Sequence, residues 1–133
     1  MSSEEIKCKE VQQQAYYKEH ARVYGHMVAH VISHVLHWTD HNRNRKSKKH
    51  FKEGKWWTYG SIADLQRDYF WQFTVSQVRR AFEKALKIGV IIEGNTDWNK
   101  RKKDRTKWYA LADEEAIKEM TKYKSNMFEE DCY

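Results

Sequence analysis

A chain of 133 residues that is 40% hydrophobic, with six Trp, eight Tyr and five Phe, holds material for one small core. That composition excludes a disordered tail and gives no reason for a second domain. Charged residues make up 33%, no apolar run approaches a bilayer span, and the opening MSSEEIKCKE lacks the apolar segment of a secretory signal, so neither membrane insertion nor export is expected.

In chain order, residues 4–24 alternate charge with Ile6, Val11, Ala15, Tyr16 and Tyr17, which predicts an amphipathic helix, and Gly25 marks a break or bend. A second helix is predicted over residues 26–42, with Met27, Val28, Val31, Ile32, Val35, Leu36 and Trp38 on one broad apolar stripe. NRNRKSKKHFKEGK then reads as a basic connection. The run from Trp56 to Tyr59 favours β structure. Ser61 with Asp64 signals a short helix through Asp68, and Tyr69, Phe70, Trp71 and Phe73 form an aromatic corner. Thr74 with Gln77 is a capping box for a helix that runs to Ile88 and ends on Gly89. Val90, Ile91 and Ile92 predict a strand, RTKWYAL its hairpin partner, and Asp113 the cap of a last helix through Lys124.

The net charge of +6 is unevenly spread. Residues 42–55 hold seven Lys/Arg and one acid, residues 100–107 six and one, and residues 113–133 seven acids and three Lys. Two basic blocks on an otherwise balanced chain form an electrostatic footprint for a polyanion. In the helix 74–88, Val75, Val78, Phe82, Ala85 and Leu86 are expected to face the core. A step of about 100° per residue then puts Ser76, Gln77, Arg80, Lys84 and Lys87 opposite, with Arg79 and Glu83 at the border. Gln pairs bidentately with adenine and Arg with guanine, so Gln77 and Arg80 are the expected base readers, and Lys84 and Lys87 the expected phosphate contacts. Lys100, Arg101, Lys102 and Lys103 are consecutive at the hairpin tip, where four cations repel one another unless an anion compensates; Arg105 and Lys107 extend that surface if they face outward.

Trp98 beside the tip is expected as a hydrophobic lid over the sheet, and the remaining aromatics as core rather than stacking platforms for single strands. In the pairs Trp56/Trp57 and Trp108/Tyr109, strand alternation predicts one residue inside and one outside. His26, His30, His34, His37 and His41 share a sector of about 80° on the second helix, a polar shoulder that charges below about pH 6.5. His30 and His34 have chelating spacing, but no carboxylate or thiolate joins them, so no metal is expected. No cofactor is expected either. The chain has five glycines and no phosphate-cradling loop, no H-E-x-x-H and no G-x-S-x-G, so an enzyme is not expected. Cys8 and Cys132 lie near opposite ends in no metal spacing, which fits a reducing compartment.

Several stretches resemble a known family. His37-Trp38 at a helix end, GKWWTYGS, F-x-x-F-T-V-S-Q-V-R-R and DRTKWYAL together look like the N-terminal winged-helix domain of replication proteins of phages and mobile elements of Gram-positive bacteria, which are similar to primosomal initiators. The likeness covers residues 24–113. The corner from Phe70 to Thr74 lacks the proline common in that family. It implies a mainly α fold with a small β-hairpin wing: a winged helix-turn-helix over residues 25–112, a helical extension over 1–24, and a C-terminal helix with an acidic tail over 113–133. It also implies binding to double-stranded DNA in a replication accessory role, with the SQVRR helix in the groove, in the cytoplasm of a bacterial host cell. The chain stops at Tyr133, short of the long C-terminal region of many relatives, so a stand-alone module is expected. The expected partners are double-stranded DNA, a second copy of the chain, and host or phage replication proteins. A dimeric transcriptional repressor, and a winged-helix module that grips a host or anti-defence protein, are the alternative readings.

Overall fold

The computed structural model describes residues 16–99 and 105–121. A short helix α1 (Lys18–Tyr24) is broken from the long helix α2 (His26–Asn44) by Gly25, whose φ of 88° lies where side-chain-bearing residues are disfavoured. Val28, Val31, Ile32, Val35 and Thr39 recur at helical spacing along α2 and are buried, so this helix forms one wall of the core. His20 of α1 is also fully buried, and its Nε2 donates to the Ile117 carbonyl at 2.9 Å, fastening the first described helix to the last.

Helix α2 ends in a Schellman arrangement: Ser47 N donates to Asn42 O, and Lys46 N to Arg43 O. Lys46 adopts the left-handed φ of 54° that this ending demands and that glycine usually supplies. The chain turns back through residues 48–50 into β1 (Phe51–Lys52) and β2 (Lys55–Trp56), which pair antiparallel. Glu53 and Gly54 between them have φ of 53° and 76°, the two positive values that match a two-residue turn to strand twist. The basic stretch read as a plain connection therefore holds a hairpin; Glu-Gly is a fainter turn signal than Asn-Gly or Asp-Gly.

Next come β3 (Thr58–Gly60), α3 (Ile62–Asp68), α4 (Val75–Ile88), β4 (Ile91–Glu93), β5 (Lys107–Leu111) and α5 (Glu114–Glu119). The β3–β5–β4 sheet is antiparallel throughout, with Tyr59 opposite Trp108 and Ile92 opposite Ala110. The molecule is mixed α/β, with five α-helices and two small antiparallel sheets among the described residues. No described helix is long and apolar enough to cross a membrane.

The main core joins α2, α3, α4 and one face of the sheet. Phe82 sits at its centre, edge-on to Phe70 at 5.9 Å and tilted against Tyr109 at 4.7 Å. The other face of the sheet is covered by a separate cluster of Trp57, Trp108 and Ala110, with Ile92 and Trp98 against it. Trp108 and Tyr109 are therefore both buried, contrary to the alternation expected of them, because the central strand has cover on both sides. Trp57 is buried and Trp56 partly so, but Trp57 lies between β2 and β3 and Thr58 after it is buried too, so strand alternation does not set their burial. Val75, expected in the core, is exposed at the first turn of α4, and Ala81 is buried instead.

Candidate nucleic-acid interface

Helix α4 is defined locally at both ends. Thr74 Oγ1 accepts from Gln77 N at 3.1 Å, and Gln77 Oε1 accepts from Thr74 N at 2.9 Å, a reciprocal cap. Gly89 ends the helix at φ 89°, in the left-handed region. Between these ends Val78, Ala81, Phe82 and Ala85 are buried, while Ser76, Gln77, Arg79, Arg80, Glu83, Lys84 and Lys87 are exposed. Among the described residues, Arg79, Arg80, Lys84 and Lys87 make no ion pair and no side-chain hydrogen bond. At a rise of 1.5 Å per residue, Ser76 and Lys87 are about 16 Å apart along the axis, so this cationic face covers several phosphate spacings. The capping box changes the roles expected within the face. Gln77 Oε1 is already engaged by Thr74 N. The Gln amide expected to pair with adenine through both oxygen and nitrogen is thus partly committed, which leaves Arg80 the freer of the two expected base readers.

The hairpin of β4 and β5 is braced below its tip. Gly94 N donates to Trp108 O at 2.7 Å, continuing the ladder past Glu93. A Cβ on Gly94 would lie 2.3 Å from the Trp98 ring and 2.8 Å from Trp108 Cβ, so that strand end admits only glycine without a shift. Trp98 packs edge-on against Trp57 at 5.0 Å and Trp108 at 5.4 Å, forming the lid expected of it. Asn99 clamps the two sides of the hairpin: its Nδ2 donates to Thr106 O at 2.9 Å and its Oδ1 accepts from Trp108 Nε1 at 2.8 Å. Arg105 is exposed just beyond this clamp. Lys107 is exposed too, but pairs with Glu93 at 3.2 Å. Lys100, Arg101, Lys102 and Lys103 lie outside the described residues.

The histidine shoulder of α2 is aromatic packing for much of its length. His30 meets Tyr16 at 4.6 Å and Phe73 at 5.3 Å. His34 lies against Tyr69 at 4.9 Å and Phe70 at 5.2 Å. Burial first, and the neighbouring His37 second, push the His34 pKa down to about 3; burial and His26 lower that of His30. The shoulder does not charge as a unit near pH 6.5, because water is removed from the two imidazoles that face the α3–α4 corner. No group of three or more potential metal ligands occurs among the described residues.

The basic block at residues 42–55 divides. Arg43 is bound between the carboxylates of Asp40 and Glu114, which raises its pKa, and so ties α2 to α5. Asn42 is buried, its Nδ2 donating to Trp57 O at 2.8 Å. Arg45 and Lys49 have no carboxylate partner among the described residues and line a cleft of about 360 Å³ with His41, His50, Tyr59 and Tyr69. Sequence reading missed this cleft. Its signal was the density of Lys and Arg, but its walls come from segments far apart in the chain.

Comparisons with protein-family models, curated proteins and solved structures return no match.

Proposed function

We propose that this protein is a winged helix-turn-helix module that binds double-stranded DNA and serves the replication of a phage or mobile element. The order α2, β3, α3, α4, β4, β5, with β5 central in the sheet, supports the fold reading. One observation carries DNA binding: a regular helix with a firm cap presents Arg79, Arg80, Lys84 and Lys87 on its solvent face, unpaired among the described residues. Four cations against the single Glu83 form a row suited to a polyanion, and the helix follows a short helix and turn, which is the placement of a recognition helix. Arg105 beyond the Asn99 clamp, and the tip cations Lys100, Arg101, Lys102 and Lys103, supply the wing's share of phosphate contacts in this reading. The resemblance of GKWWTYGS and DRTKWYAL to replication proteins supports the role.

The test is a selection of bound sequences from random duplexes, repeated at two salt concentrations. Arg80→Ala is expected to weaken binding to the selected site by about 1–3 kcal/mol. Neutralising Lys100 to Lys103 is expected to weaken binding to all sequences and flatten the salt slope. Selected sites that match origin repeats support the replication role; promoter operators assign a repressor instead. Unchanged affinity and salt slope in both variants would refute the interface.

A second reading has its own observation. Trp71 is 65% exposed at the turn before α4, with Tyr69 and Val75 exposed nearby. Aromatic groups so placed suit a protein partner. A module of that kind shifts the mobility of a purified protein and leaves DNA unshifted.

A further inference from the structure

We propose that the cleft bounded by the C-terminal half of α2, residues 47–50, β3 and α3 is a second binding site, taking a nucleoside phosphate whose phosphate monoester is held by Arg45 and Lys49. The cleft is lined by Arg45 and Lys49 with His41 and His50, and no carboxylate contributes to its wall. Like charges are brought together here by the fold. His50 shows the consequence: its pKa is lowered by burial first, and then by Lys49, Arg45, His41 and Lys52. Such a field is relieved by an anion. The C-terminal carbonyls of α2 attract Arg45 in part. They do not account for Lys49 and His50, which stand on the segment that folds back beyond the helix.

That segment is held in place. Lys46 keeps a left-handed φ of 54°, Ser47 Oγ is 2.7 Å from His50 Nδ1, and the His50 ring stacks on Tyr59 at 5.1 Å with 12° between planes. Lys49 Nζ lies 5.5 Å from the centre of the same tyrosine ring. A volume of about 360 Å³ is at the lower end of small-ligand sites and accommodates one mononucleotide rather than a duplex groove's worth of contacts. Tyr59 is covered by His50 and Trp108, so Tyr69, 46% exposed on the cleft wall, supplies the aromatic surface for the base beside the cations that take the phosphate. The shared chemistry is a phosphate monoester on a nucleoside, carried either by a free nucleotide or by the 5′ end of a DNA strand. None of these residues is on α4, so the inference stands apart from duplex recognition.

The experiment titrates the isotope-labelled full chain with deoxyadenosine monophosphate, deoxyadenosine and inorganic phosphate, following amide resonances. The monophosphate is expected to move the signals of residues 45–50 and Tyr59 and to bind about tenfold or more tighter than the nucleoside, the value of a charge-assisted contact. The double variant Arg45→Ala/Lys49→Ala is expected to lose that advantage, while Arg80→Ala keeps it. Both cleft side chains are exposed, and an unchanged spectrum elsewhere verifies the fold. Competition by a 5′-phosphorylated oligonucleotide, but not its 5′-hydroxyl counterpart, makes the strand end the ligand. Failure of both to displace bound monophosphate makes it the free nucleotide. Equal binding of monophosphate and nucleoside overturns the proposal, as does a double variant that binds like the parent, or an equal loss in Arg80→Ala.

Discussion

Two of the described stretches of this chain, α4 and residues 42–60, carry clustered positive charge, and they dispose it in different ways. On α4 the cations stand outward on a regular helix, and their positions follow from the burial of Val78, Phe82 and Ala85 on the other side. In residues 42–60 the cations are disposed one by one: Lys49 lies over the Tyr59 ring, Lys55 reaches the Ala112 carbonyl, and Arg43 is held by Asp40 and Glu114. A charge block on a helix is displayed wherever the apolar stripe directs it. A charge block in a connection is disposed by whatever distant groups receive it, here Glu114 for Arg43 and the Ala112 carbonyl for Lys55.

The largest expected effect concerns His34, which lies on the cleft wall and packs against the corner that leads into α4. Its folded pKa of about 3 is below the unfolded value near 6.5. Above pH 6.5 the imidazole is neutral in both states and its packing contributes in full. As the pH falls from 6.5 toward 3, the unfolded chain takes up a proton that the folded chain refuses. Stability then declines by up to about 1.4 kcal/mol per pH unit from this group alone. Urea denaturation at pH 7.5 and 4.5 reads this loss, and His34→Phe is expected to reduce the difference between the two. An identical difference in that variant breaks the link between the corner and this histidine.

Asn42→Ala comes next. It strands the buried Trp57 carbonyl and is expected to cost about 1–3 kcal/mol, with the loss of His50–Tyr59 stacking visible in the ring-proton spectrum. Retention of that stacking would mean that the 42–60 segment folds without its distant anchor. Thr74→Ala is the smallest effect, about 1 kcal/mol from the lost cap, and is expected to leave residues 42–60 untouched in the amide spectrum. Its confinement to α4 would sharpen the contrast between a region set locally and one set at long range.

The same contrast explains what was legible in the sequence. The break at Gly25, both helix N-caps at Ser61 and Thr74, the Gly89 ending and the Asp113 cap are local relationships within about one helical turn, readable in the chain as written. The exposed positions of α4 followed from its period, apart from Val75 and the engagement of Gln77 in its own cap. The β1–β2 hairpin, the burial of Trp108 together with Tyr109, and the cleft were not legible. Each depends on which segments meet: the Trp57/Trp98 cluster covers a sheet face that the pattern of β5 alone leaves open, and the cleft takes walls from α2, β3 and α3.

The central place of β5 also bears on how the chain is made. Neither β3 nor β4 pairs with the other; both bond to β5, the last strand among the described residues. Tyr59 and its partner Trp108 are 49 positions apart (108 − 59), so at about 5–20 residues per second β3 waits roughly 2–10 s for its neighbour during synthesis. Throughout that interval its backbone edge is open beside Trp57 and Tyr59. A nascent chain stalled before residue 107 is thus a strand without a partner, the form most prone to pair with another copy of itself.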